Sequence, residues 1–184
     1  HLNATEDNSS GTVTVVTSGI EDGQTVTVGL NGNNYTGSIS SNSVTITISA
    51  TDLQALSEGT NTITADVSDI AGNAASQSST TFVYDKTSPS ISSITLSWGT
   101  VLNATEDNNN GTVTVATSGV EDGQTVTLGL NSRTYTGSVI NNSVSITISA
   151  ARLQELVDGT TYTLTADVSD VAGNAAAQVS TTFT

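Results

Sequence analysis

Carboxylates are almost the only side chains in this sequence that could do chemistry. Aspartate and glutamate number 17 against 3 lysines and arginines, with 1 histidine, no cysteine and no methionine. Thirteen of the 17 are grouped as Glu6-Asp7, Glu21-Asp22, Asp66 with Asp69, and Asp85, then again as Glu106-Asp107, Glu121-Asp122 and Asp167 with Asp170. Nearly all fall at the ends of alternating apolar runs or in the turns between them. Carboxylates brought together repel one another, and a hard divalent cation with six to eight oxygen ligands relieves that repulsion. Calcium is the ion this pattern suits; zinc is not, because structural zinc sites draw on Cys and His. No D-x-[DN]-x-[DN]-G loop and no glycine-rich calcium nonapeptide occurs. A second reading therefore stays open, in which these are solvated turn residues, Asp and Asn being favoured in turns on backbone grounds alone.

Other chemistries are poorly served. The lone histidine, His1, cannot build a Ser-His-Asp arrangement in each of two repeats. Paired carboxylates could hydrolyse a glycoside, but aromatics to hold a sugar ring make up only 4% of the chain. A non-catalytic protein is expected. The net charge of −14 opposes binding to nucleic-acid phosphates or anionic lipid. No apolar run reaches the roughly 18 residues of a membrane-spanning helix, so this segment is not expected to insert into a membrane.

The elements that must position the carboxylates come from an internal repeat. Leu2-Asn-Ala-Thr-Glu-Asp7 returns as Leu102 to Asp107, Glu21 to Thr27 as Glu121 to Thr127, Tyr35 to Ser38 as Tyr135 to Ser138, and Asp66 to Asp69 as Asp167 to Asp170. The joint, Tyr84-Asp-Lys-Thr-Ser-Pro89, holds the only proline and divides the chain into domains at 1–85 and 86–184. Strict alternation predicts strands over 12–17, 24–30, 35–39, 43–49, 61–67 and 78–84, with counterparts in the second copy. Leu53 and Leu56, repeated as Leu153 and Leu156, predict a short helical crossover ending at Gly59 and Gly159. Asn31-Gly32 predicts a tight hairpin. Ile94, Leu96 and Trp98 give the second copy an opening strand over 91–98; the first copy has none before its Leu2, so that strand is either missing or supplied from elsewhere, a neighbouring chain included. The expected fold is all-β: two tandem immunoglobulin-like Greek-key β-sandwiches.

In such a sandwich the loop after the second strand, the loop before the last strand and the incoming linker meet at one end. For the second copy these carry Glu121 and Asp122, Asp170 to Asn174, and Asp85.

The run Leu102-Asn-Ala-Thr-Glu106, Gly123-Gln-Thr-Val-Thr127, Tyr135-Thr-Gly137 and Asp170-Val-Ala-Gly-Asn174, with the joint Tyr84 to Pro89, resembles the bacterial immunoglobulin-like extender repeats of giant RTX adhesins, biofilm-type and ice-binding-type. The resemblance covers almost the whole chain. It implies a spacer in a long, surface-tethered string of modules, exported by a type I system through a signal outside this segment. It implies partners in the neighbouring repeats and ligand-binding domains elsewhere in the parent protein. It also implies calcium at the junctions between modules. The ligand group it points to is Asp85, Glu121, Asp122, Asp167, Asp170 and Asn174, with Glu21, Asp22, Asp66, Asp69 and Asn73 as the first-copy equivalents. Ser88 stands where the family's joint carries Ala, and Gly99 and Thr100 stand where it often carries Asp and Asn, which leaves Glu106 out of the group. The alternative role is a ligand-binding module contacting carbohydrate, ice or a partner protein.

Overall fold

Side chains alternate across a strand, so a Val-x-Val-x-Leu run forms an element with one apolar face. The computed structural model describes all 184 residues as two compact units, His1–Lys86 and Thr87–Thr184. The first contains β1 (Gly11–Val16), β2 (Thr25–Leu30), β3 (Asn33–Ser38), β4 (Ser43–Ile48), the short helix α1 (Ala50–Gln54), β5 (Gly59–Asp66) and β6 (Ser78–Tyr84). The second contains β7 (Ser90–Leu96), β8 (Gly111–Ser118), β9 (Thr125–Leu130), β10 (Arg133–Ser138), β11 (Ser143–Ile148), α2 (Ala150–Leu153), β12 (Tyr162–Asp167) and β13 (Val179–Phe183).

Each unit is a β-sandwich of two antiparallel sheets. In the first, β1 pairs with β4, and a four-stranded sheet runs β3-β2-β5-β6. In the second, the corresponding sheets run β11-β8-β7 and β10-β9-β12-β13. Registers repeat: Gly11 faces Ile48 as Gly111 faces Ile148. Val126, Leu128 and Leu130 of β9 are buried against Val144, Ile146 and Ile148 of β11, while the intervening residues of β11 face water.

The second unit has one continuous core into which Trp98, Phe183, Leu153 and Leu164 pack, with the Trp98 and Phe183 rings edge to face at 5.4 Å. The first unit's core divides into a cluster around Val26, Val28 and Ile46 and another around Leu30, Leu53, Leu56 and Tyr84. The helical crossover ends earlier than its glycines suggest. α1 stops at Gln54, and Gly59, at φ 103°, instead opens β5. Hydrogen bonding explains the difference, since the Leu56 N–H donates to the Leu53 carbonyl in a tight final turn. No helix is long and apolar enough to cross a membrane.

Candidate functional site

In the second unit the loop between β12 and β13 is a tight turn closed on itself. The bridge between Ser169 and Ala175 forms its neck, and Gly173, at φ 92°, takes the left-handed position that glycine adopts without a Cβ penalty. Asp170 is buried at the neck: its Oδ1 accepts from the Asn174 backbone N–H at 2.8 Å and its Oδ2 from the Asn174 side-chain amide at 3.0 Å. Glu121, just before β9, reaches the same loop, where its Oε2 accepts from the Val171 N–H at 2.9 Å. Two of the carboxylates nominated by the sequence therefore hold the same turn, each by accepting from one of its backbone N–H groups.

The neighbours diverge. Asp122 accepts from the Asn141 N–H at 2.7 Å, on the hairpin between β10 and β11. Asp167, at the end of β12, accepts from the Gln178 side-chain amide through both oxygens, at 3.0 and 2.9 Å. The first unit repeats the arrangement: Glu21 with the Ile70 N–H, Asp22 with the Ser41 N–H, Asp66 with Gln77, and Asp69 with both nitrogens of Asn73. Donation from the Asn73 side chain, then from its backbone, holds the Asp69 carboxyl below its ordinary pKa. Asn73 is exposed where Asn174 is buried. The Asp85 N–H donates to the Leu2 carbonyl, which ties the N-terminal segment to the strand leaving the first unit.

No three carboxylate or histidine side chains gather closely enough to hold a metal ion. The donor chemistry at Glu121 and Asp170 is all oxygen and suits calcium over zinc, but two carboxylates supply fewer than the six to eight oxygens that calcium takes. Oxygen ligands from beyond a single loop are needed to complete such a site.

Three acidic residues acquire structural roles that the carboxylate pattern did not signal. Glu6 and Asn3 form a reciprocal pair: Asn3 Oδ1 accepts from the Thr5 and Glu6 N–H groups, and Glu6 Oε2 accepts from the Asn3 N–H. Asn103 and Glu106 do the same. The Leu-Asn-Ala-Thr-Glu motif is thus a capping box on a short turn, legible in the spacing of Asn and Glu three apart. Asp7 follows on that turn and is buried, accepting from the Tyr84 hydroxyl at 2.6 Å.

No protein-family model matches the chain, and no curated protein matches its sequence. Solved structures do match. A Ca2+-stabilized adhesin that helps an Antarctic bacterium reach out and bind ice is 26% identical over 100% of this chain and 45% of its own, with a TM-score of 0.58. A 1.5-MDa bacterial ice-binding adhesin is 28% identical over 99% of this chain and 58% of its own, with a TM-score of 0.55. Both units are adhesin-type immunoglobulin-like repeats. A single bacterial immunoglobulin-like domain from the M. primoryensis ice-binding adhesin is 30% identical over 50% of this chain and 89% of its own, with a TM-score of 0.34. The chain spans about half the length of the first two adhesin structures.

Proposed function

We propose that this pair of adhesin repeats is a non-catalytic extender on the bacterial cell surface, stiffened by calcium between consecutive modules so that a distant binding region is held away from the cell. The observation that carries the reading is the duplicated geometry. In each repeat a glutamate from one loop reaches the aspartate turn before the last strand, Glu121 to the Asp170 loop and Glu21 to the Asp69 loop. A solvated turn residue needs no such partner, whereas two carboxylates on one turn form the beginning of an oxygen cage. The likeness to a calcium-stabilized adhesin supports the same ion. Asp85, at the joint, is the residue we assign to complete the cage, with Asn174 as a further oxygen source; Asp122 and Asp167, which hold other partners in this structure, would have to turn toward the loop to join it, as would Asp22 and Asp66 one repeat earlier, where Asn73 is the equivalent of Asn174.

A role in binding carbohydrate is less well served. Trp98, the only tryptophan, is buried against Phe183 and offers no exposed platform. Calorimetric titration with calcium tests the assignment. The wild-type chain should bind with a dissociation constant of about 10⁻⁴ to 10⁻³ M, the range of extracellular modules. Asp85→Ala and Glu121→Gln should each weaken binding at least about tenfold. Binding by Asp85→Ala equal to that of the wild type would remove the joint from the site.

A further inference from the structure

Lysine and arginine are scarce in this chain. Lys86, Arg133 and Arg152 are the only three in 184 residues, and charged residues of both signs make up 11%, against about a quarter of an average soluble domain. A protease of trypsin-like specificity cuts after lysine or arginine, so it has three bonds to choose from. The fold treats the three differently.

Both arginines are locked into the second unit. Arg133 is the first residue of β10 and pairs opposite Leu130 of β9, while Arg152 lies within α2. Their guanidinium groups converge on one carboxylate, Arg133 donating to Glu155 Oε2 and Arg152 to Glu155 Oε1. A protease cleft accepts its substrate as an extended segment. Cutting at Arg133 therefore requires β10 to peel from β9, and cutting at Arg152 requires α2 to unwind and Leu153, buried in the core, to leave it. Exposing one buried leucine makes an opened state rarer by about ten- to a hundredfold, and cleavage follows the population of the opened state.

Lys86 lies where neither unit grips the chain. Residues 85–89 belong to no strand or helix, Lys86, Thr87 and Ser88 are exposed, and the boundary between the two compact units falls on the Lys86–Thr87 bond itself. The Lys86 ammonium stands 5.8 Å from the centre of the Tyr84 ring, at the outer limit of a cation–π contact. Neither Asp85 nor Lys86 contributes a side chain to a core. Presenting this bond breaks hydrogen bonds such as those of the Asp85 N–H to the Leu2 carbonyl and of the Lys86 N–H to Glu58 Oε1, without emptying the interior. Exposed irregular segments of this kind are the preferred places for a nick.

We propose that the Lys86–Thr87 bond is a cleavage site for a trypsin-like serine protease, at which the two units are parted while each stays folded. Hydrolysis consumes one water, breaks the C–N bond and leaves a carboxylate on Lys86 and an amine on Thr87. In a string of such repeats, one cut between modules detaches everything beyond it. This inference goes beyond the extender reading and does not depend on calcium.

A time course of the full chain with trace trypsin, in chelator and followed by intact-mass spectrometry, tests it. Fragments 1–86 and 87–184 should appear first, at least about tenfold faster than any cut at Arg133 or Arg152, and Trp98 fluorescence should not change as they form. Lys86→Gln, a substitution at an exposed residue outside both cores, should remain intact over the same period. In concentrated urea all three bonds of the wild type should be cut, which assigns the discrimination to the fold. A first cut at either arginine, a native wild-type chain as resistant as Lys86→Gln, or loss of the Trp98 signal in step with cleavage overturns the proposal.

Discussion

Removing one hydroxyl tests how the first repeat is closed. Tyr84, 1% exposed at the end of β6, donates its hydroxyl to Asp7 Oδ2 at 2.6 Å across 77 residues of sequence. Tyr84→Phe keeps the ring and its packing against Leu30, Ile48 and Leu53 and takes the donor from a buried carboxylate. A hydrogen bond to a charged group contributes about 1.5–3 kcal/mol, so the variant should lose about 2 kcal/mol. For a domain of this size that corresponds to a fall of roughly 8–16 °C in the first repeat's calorimetric transition. Trp98 fluorescence, which reports the second repeat, should not move. Asp7→Ala removes the same bond, so the double variant should cost clearly less than the sum of the two single ones. The alkaline limb gives a second readout. The bond to Asp7, then burial, pushes the Tyr84 phenol up to about 12. The folded state thus favours the neutral phenol. Its stabilisation is complete below the unfolded pKa of about 10 and is lost as pH rises from there through about 12. The difference between wild type and Tyr84→Phe should therefore shrink over that window. A loss below about 0.5 kcal/mol at neutral pH, or an alkaline limb identical in both proteins, would refute the account.

Other substitutions probe the framework that carries the acidic loops. The hairpin turn Asn131-Ser132 holds both residues at positive φ, 49° and 58°, where the first repeat has Asn31-Gly32. Ser132→Gly should therefore stabilise the second repeat by about 0.5–1 kcal/mol in urea unfolding. A Cβ on Gly137 would sit 2.6 Å from Val144 Cγ2 and 2.8 Å from Ile146 Cγ1, so Gly137→Ala should overpack the core and cost about 1–3 kcal/mol in the same assay. Trp98→Ala should destabilise the second repeat by about 3–5 kcal/mol, while Trp98→Phe should cost far less, because the buried indole N–H has no partner to lose.

The strands were legible because their residues alternate. Val26, Val28 and Leu30 share a face in the sequence and are buried together in the fold, and the strand over 78–84 falls where the alternation placed it. The hairpin at Asn31-Gly32 was legible for a local reason too, both residues tolerating the positive φ they adopt. The helix end was not, because Gly59 satisfies the rule for a helix stop while serving as the first residue of a strand. Among the acidic residues, sequence proximity misleads. Glu121 and Asp122 are adjacent, but their side chains go to different loops, Val171 and Asn141, because their hydrogen-bond donors lie 50 and 19 residues away. Burial of Asp7 was equally hidden, since it depends on a tyrosine at the far end of the repeat.

The central claim is that calcium turns the joint between adhesin repeats from a hinge into a strut. Small-angle scattering of the two-repeat chain, in millimolar calcium and then in chelator, measures this most directly. The account predicts a longer, narrower distribution of interatomic distances with calcium, relaxing to a broader and more compact one on chelation. The same change should be absent in Asp85→Ala. Superimposable curves with and without calcium would contradict it.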